Sequence, residues 1–166
     1  MNDITRTHGF AEAKRSAPYA AVCLIGYEGR VARHVGDNRG GWPVRVVTST
    51  KPHLVAARSD IESPYHHVRV LELVWTETEA HAHRLKSTMD ELLLGKSSYS
   101  TRLRHGWRDI EHEPAIIWPI LLAEALRELQ AQRMQIDVFD SAEYERRVIA
   151  RIGRARSSRP VSAAPK

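Results

Sequence analysis

"VRVVTSTKPHLVAAR", residues 44–58, decides how the chain is organised. Val44, Val46 and Val47 are β-branched and read as a strand, and the short hydroxyl residues Thr48, Ser49 and Thr50 end it. Pro52 then stands where a helix can begin, since the first helical turn does not need its missing N–H. Thr50 is placed to cap a helix running to about Arg58. The stretch predicts strand, turn and helix in direct succession, closing on an arginine.

Upstream, "YAAVCLIG" (19–26) is a second apolar run and predicts a strand buried on both faces. Between the two lies "RHVGDNRGGWP" (33–43), whose Gly36, Gly40 and Gly41 mark a loop. It is not a phosphate cradle of the P-loop kind, because no Gly-Lys-Ser/Thr follows and the next element is a strand. Downstream, "SPY" (63–65) breaks the helix. His67–Trp75 alternates as a third strand, and Thr76 or Thr78 caps a helix that runs through Leu94 and ends at Gly95. After a loop, Pro114 opens another helix, kinked or delayed by Pro119. A short strand in "MQIDVFD" (134–140) and a helix from Ser141 follow. The expected fold class is α/β: a small three-stranded antiparallel or mixed sheet flanked by helices, with a basic C-terminal tail. Residues 1–17 form a flexible N-terminal segment, 18–145 the α/β domain with a helical extension, and 146–166 the tail.

With 42% hydrophobic and 27% charged residues the chain has the balance of a globular protein rather than a disordered one. A single cysteine, Cys23, excludes a disulfide framework and a Cys-based zinc site. The N-terminal stretch lacks a signal-peptide core, and "AIIWPILLAEAL" (115–126) is too short to span a bilayer. A cytoplasmic protein without a membrane partner is expected.

The formal charge of +5 is unevenly placed. Arg146, Arg147, Arg151, Arg154, Arg156, Arg159 and Lys166 fall in a C-terminal run without an acid. Removing these seven from the 25 Lys and Arg leaves 18 against 20 acidic residues, so the remainder is slightly acidic. Such a run either solubilises the C-terminus or holds phosphates by counterion release, without reading sequence. A second basic stretch, "RLRHGWRD" (102–109), offers Arg102, Arg104 and Arg108 around Trp107. It can track a nucleic-acid backbone and stack a base, or Trp107 can plug the core while the arginines stay solvated. Trp75 and Trp118 fall on core stripes. His81 and His83 lie two apart on a helix, and His66 and His67 alternate on a strand, so neither pair can share a metal.

Four segments, "YAAVCLIG", "VRVVTSTKPHLVAAR", "SPYHHVRVLELVWTETEAHAHRL" and "RHGWRDIEHEPAIIWPI", together resemble GIY-YIG nuclease domains of the phage and bacterial branch over roughly residues 19–125. The resemblance implies two tyrosines on neighbouring strands, an arginine on the following helix, and a glutamate on the next helix holding one divalent metal, Mg2+ if the site is active. Hydrolysis of a phosphodiester needs an activated nucleophile, a metal on the phosphoryl oxygens and a cation on the developing charge. Onto this chain the first tyrosine falls near Ala21 or Cys23, with Tyr19 earlier at the same parity, and the second falls on Val46. The turn glycine is Thr48, with Thr50 keeping the hydroxyl two residues on. The arginine position is Val55 or Ala56, and Arg58 is displaced by two residues, about 200° around a helix. The glutamate position is His83 or Arg84, with Glu79 one turn before it. A degenerate site is expected, with Tyr19 and Arg58 as catalytic candidates and Glu79 as the metal candidate. Arg58, Arg102, Arg104, Trp107, Arg108, Arg151, Arg154 and Arg156 are the nucleic-acid-binding candidates. The function expected is that of a nucleic-acid-associated protein without efficient nuclease activity and without a cofactor. Two alternatives remain: an interaction protein of a phage or mobile element that binds another protein, and an active divalent-metal-dependent DNA endonuclease.

Overall fold

The computed structural model describes residues 18–27, 41–56, 68–95, 100–102 and 106–157. They fall into two units, one spanning Tyr19–Val138 and the other made of Pro18 and the residues from Phe139 on.

The first unit is built on β1, Ala20–Gly26, buried along its whole length. Its composition explains its place, because only a central strand covered on both faces can be apolar at every position. It pairs antiparallel with β2, Trp42–Ser49, on one side and β3, Arg69–Thr76, on the other. The β1–β3 register shifts between Leu24 and Ile25, where Leu24 faces Glu72 and Ile25 faces Val70, leaving Leu71 as the extra residue of a bulge. Gly26 is required at the end of β1, since a Cβ there would lie 2.7 Å from the Pro43 carbonyl oxygen.

Two further strands, β4 at Ser100–Arg102 and β5 at Arg108–Ile110, extend the sheet from β2, giving the order β4-β5-β2-β1-β3. The expected three-stranded sheet is therefore corrected to five antiparallel strands. "STR" and "RDI" are too short to show an apolar alternation of their own, and they are held by the ladder that β2 offers.

Helix α1, Glu79–Gly95, and helix α2, Pro114–Ala131, supply the other half of the core. Ala82, Leu85, Met89, Leu92 and Leu93 of α1 recur at helical spacing, as do Ile117, Trp118, Leu121, Ala125 and Leu129 of α2. All pack in one cluster with Val22, Leu24, Val44, Val46 and Ile110 of the sheet. Each fully buried leucine or valine contributes about 1.5–3 kcal/mol. Pro119 lies inside α2, which continues through it. The cap choice is settled for α1: Thr78 Oγ1 accepts the His81 N–H at 3.1 Å, while Thr76 donates its hydroxyl to the Ala20 carbonyl at 3.0 Å. After Ser49 the chain enters a 3₁₀ turn, Pro52–Leu54, that has no side-chain cap, and Val55 and Ala56 continue it as helix to the edge of the described residues; Ser49 Oγ accepts the Lys51 N–H at 2.9 Å.

Val138–Phe139, a two-residue strand β6, straddles the boundary between the units. In the second unit Asp140 caps helix α3, Ser141–Ser157, its Oδ1 accepting the Glu143 N–H at 2.8 Å. The helix continues through Arg146, Arg151 and Arg154, residues that composition alone assigns to the tail. No helix among the described residues is long and apolar enough to cross a membrane.

Candidate functional site

The sheet register fixes which candidates can meet. Thr48 pairs with Val22 and Val46 pairs with Leu24, so both share the face on which α1 packs. Ala21, Cys23 and Ile25 alternate to the other face. Continued back by one residue, the alternation puts Tyr19 with Ala21 and Cys23. The positions to which the resemblance carries the two tyrosines, Ala21 or Cys23 and Val46, thus lie on opposite faces of the sheet. The sequence spacing concealed this, because parity relative to a neighbouring strand depends on the pairing register.

On the α1 face a small polar chain forms at the surface. His83 Nδ1 lies 3.4 Å from Thr48 Oγ1, and His83 Nε2 lies 3.6 Å from Glu79 Oε1, one helical turn back. A hydroxyl, an imidazole and a carboxylate in line are the parts of a general-base arrangement. Here, however, Glu79 and His83 are more than half exposed. Water competes for both contacts, and exposed pairs of this kind are worth about 0–1 kcal/mol. Thr48 and His83 were each marked in the sequence, but as replacements for a glycine and a glutamate, and nothing there indicated that they touch. Among the described residues no three His, Cys, Asp or Glu side chains are grouped to hold a metal ion. Glu79, the expected metal ligand, has His83 as its neighbour. His81 is half-buried, its Nδ1 enclosed without a hydrogen-bond partner.

Cys23, fully buried on β1, is chemically quiet: burial pushes its thiol up to about 12. Arg58 and Arg104, with His66 and His67, lie outside the described residues.

The basic stretch around Trp107 is not solvated where it can be described. Trp107 is 0% exposed and stacks on Tyr27, with ring centroids 5.8 Å apart. Of the two readings of this residue, the core plug describes its position. Stacking on a base would require it to leave that position. Arg108 is only 7% exposed. Arg102 stands directly opposite it in the β4–β5 ladder. Sequence reasoning missed Trp42, whose indole N–H is buried on β2 without an acceptor; a tryptophan beside Gly-Gly and Pro carries no signal of that kind.

The C-terminal candidates follow another logic. Arg147, Arg151 and Arg154 are spaced by four and three residues and so line one face of α3. Arg147 is engaged, its Nε 2.9 Å from Glu143 Oε1 and its guanidinium 4.0 Å above the Phe139 ring. Arg146 also pairs with Glu143, at 3.0 Å. Arg151 and Arg154 are exposed. Arg156 is in the last turn of the same helix.

No protein family, curated protein or solved structure matches the chain.

Proposed function

We propose that the chain is a nucleic-acid-associated protein that holds phosphates and does not cut them efficiently. The observation that carries this reading is the cationic stripe of α3, where Arg151 and Arg154 stand exposed one turn apart while Arg147 is braced at its base. A rigid helix presents such charges at less entropic cost than a random tail, and the acid-free run beyond it adds to the same field. The GIY-YIG scaffold enters the proposal through the four sequence segments that resemble it. The non-catalytic part is supported by the tyrosine positions falling on opposite sheet faces and by Glu79 lying exposed beside His83.

Full-length protein should bind duplex DNA at 50 mM salt and lose most of that affinity by 200 mM. The double substitution Arg151→Ala/Arg154→Ala should weaken binding at low salt while leaving the fold intact. Absence of DNA binding at low salt overturns the reading. Magnesium-dependent nicking of plasmid that disappears in Arg58→Ala would replace it with an active nuclease.

A second reading, binding of another protein, has its own observation. Ile116 and Ile120 are 56% and 46% exposed on α2. With the exposed Pro119 and Ala123 they form an apolar stripe opposite the core-facing one. Ile116→Lys/Ile120→Lys should then abolish partner capture without affecting DNA binding.

A further inference from the structure

We infer that Arg108 and the indole N–H of Trp42 form a buried site for a tetrahedral phosphate group. Val44 pairs with Arg108 and Trp42 pairs with Ile110, and Val44 and Ile110 belong to the core under the helices. Arg108 and Trp42 therefore share that face as diagonal neighbours across β2 and β5, a separation that long and aromatic side chains bridge. Both bring a donor. The Nε of Arg108 and the Nε1 of Trp42 are each enclosed, and neither has a hydrogen-bond partner. A buried N–H without an acceptor is costly, and more so on a charged group, because folding has stripped that N–H of its water and returned nothing.

The adjacent acid does not repair this. Asp109 alternates to the other face and lies against Gly41, where a Cβ would fall 1.8 Å from its Oδ1. The residue paired with Arg108 in the β4–β5 ladder is Arg102, so the register brings no acid to that position. What the two donors lack is an acceptor that carries negative charge and offers oxygens in more than one plane. Phosphate does this, and its charge-assisted bonds to a guanidinium are among the stronger hydrogen bonds available. An internal phosphodiester is flanked by sugars on both sides and does not fit beside an arginine that is only 7% exposed. A phosphate monoester, free or at the end of a strand, presents its oxygens on a single stem. The assignment to strand ends rests on the proposed nucleic-acid reading; the phosphate site does not.

The test is calorimetric titration of the full-length protein with inorganic phosphate in a phosphate-free buffer, at ionic strength matched with sodium chloride, alongside thermal melting. Saturable binding and a phosphate-specific rise in Tm are expected, weakened at least about tenfold in Arg108→Met and several-fold in Trp42→Phe. Arg127→Ala, which removes an exposed cation of α2, should bind phosphate as the parent does. Without phosphate, Arg108→Met should melt no lower than the parent, since an apolar chain of similar length replaces a buried arginine whose Nε has no acceptor. Should Arg108→Met not fold, Trp42→Phe and the parent titration still decide the matter. No phosphate-specific effect on the parent, or one unchanged in both variants, overturns the site. A 5′-phosphorylated oligonucleotide binding more tightly than its 5′-hydroxyl counterpart assigns the site to strand ends. Phosphate binding without that preference assigns it to the free anion, and the strand-end claim falls.

Discussion

Burial on the central strand pushes the Cys23 thiol from 9.0 up to about 12, because a thiolate formed there would give up its hydration for an apolar sheet. The folded chain then keeps a proton that the unfolded chain releases. The stability this contributes is complete below pH 9 and is lost as pH rises toward 12, at a limiting slope of about 1.4 kcal/mol per pH unit. Urea titrations from pH 8 to 11 should show the parent losing stability more steeply than Cys23→Ala, in which the other groups titrate unchanged; parallel curves would mean that the thiol ionises without penalty. Trp107 poses a different question at the same scale. Fully enclosed and stacked on Tyr27, it should behave as a core residue, and Trp107→Ala should cost about 3–5 kcal/mol by chemical denaturation. A base-stacking residue would instead lose DNA affinity at full stability, so measuring both quantities on one variant separates the roles.

Helix α2 ends in a geometry that its sequence does not favour. Arg133 adopts φ 61, and the bonds from the Met134 N–H to the Leu129 carbonyl and from the Arg133 N–H to the Gln130 carbonyl, both 2.9 Å, make a Schellman motif. The left-handed position is normally glycine, because a Cβ there crowds the following carbonyl. Arg133→Gly should therefore raise stability by up to about 1 kcal/mol; a clear loss in urea would show that the arginine side chain does more for the fold than its backbone costs. This stop was not readable from the sequence, which lacks the glycine that announces it. The long elements were readable: β1 from its unbroken apolar run, and α1 and α2 from stripes repeating at 3.6 residues. Thr78 was one of two candidate caps, and only the β1–β3 pairing, which claims the Thr76 hydroxyl, decides between them. β4 and β5 escaped because three-residue strands carry no period, and a partner strand far away in sequence defines them. The candidate site suffered most from this. Its tyrosine positions were placed by spacing along the chain, whereas the face each occupies is set by register between strands. Arg108 reads as solvated until β5 is known to exist.

At the scale of the whole molecule the question is where the charge acts. Residues before Arg146 carry slightly more acid than base, and all of the excess positive charge follows them. A polyanion approaching from a distance is thus drawn to the C-terminal region rather than to the protein at large, within a screening length of about 10 Å at 0.1 M salt. Counterion release makes that attraction countable: the slope of log K against log salt falls by about 0.9 for each duplex phosphate neutralised. If Arg151 and Arg154 each hold one phosphate, replacing both by alanine should make the slope shallower by about 1.8, with little change in the affinity extrapolated to 1 M salt, where the electrostatic part has vanished. A buried phosphate site at Arg108 behaves oppositely, since its loss should shift affinity at every salt concentration while altering the slope by no more than about one phosphate. Fluorescence anisotropy with a labelled duplex that carries a 5′-phosphate, at four or five salt concentrations, measures both quantities. An unchanged slope in the double variant would remove α3 from the binding surface, leaving the exposed apolar stripe of α2 as the feature that still calls for a partner.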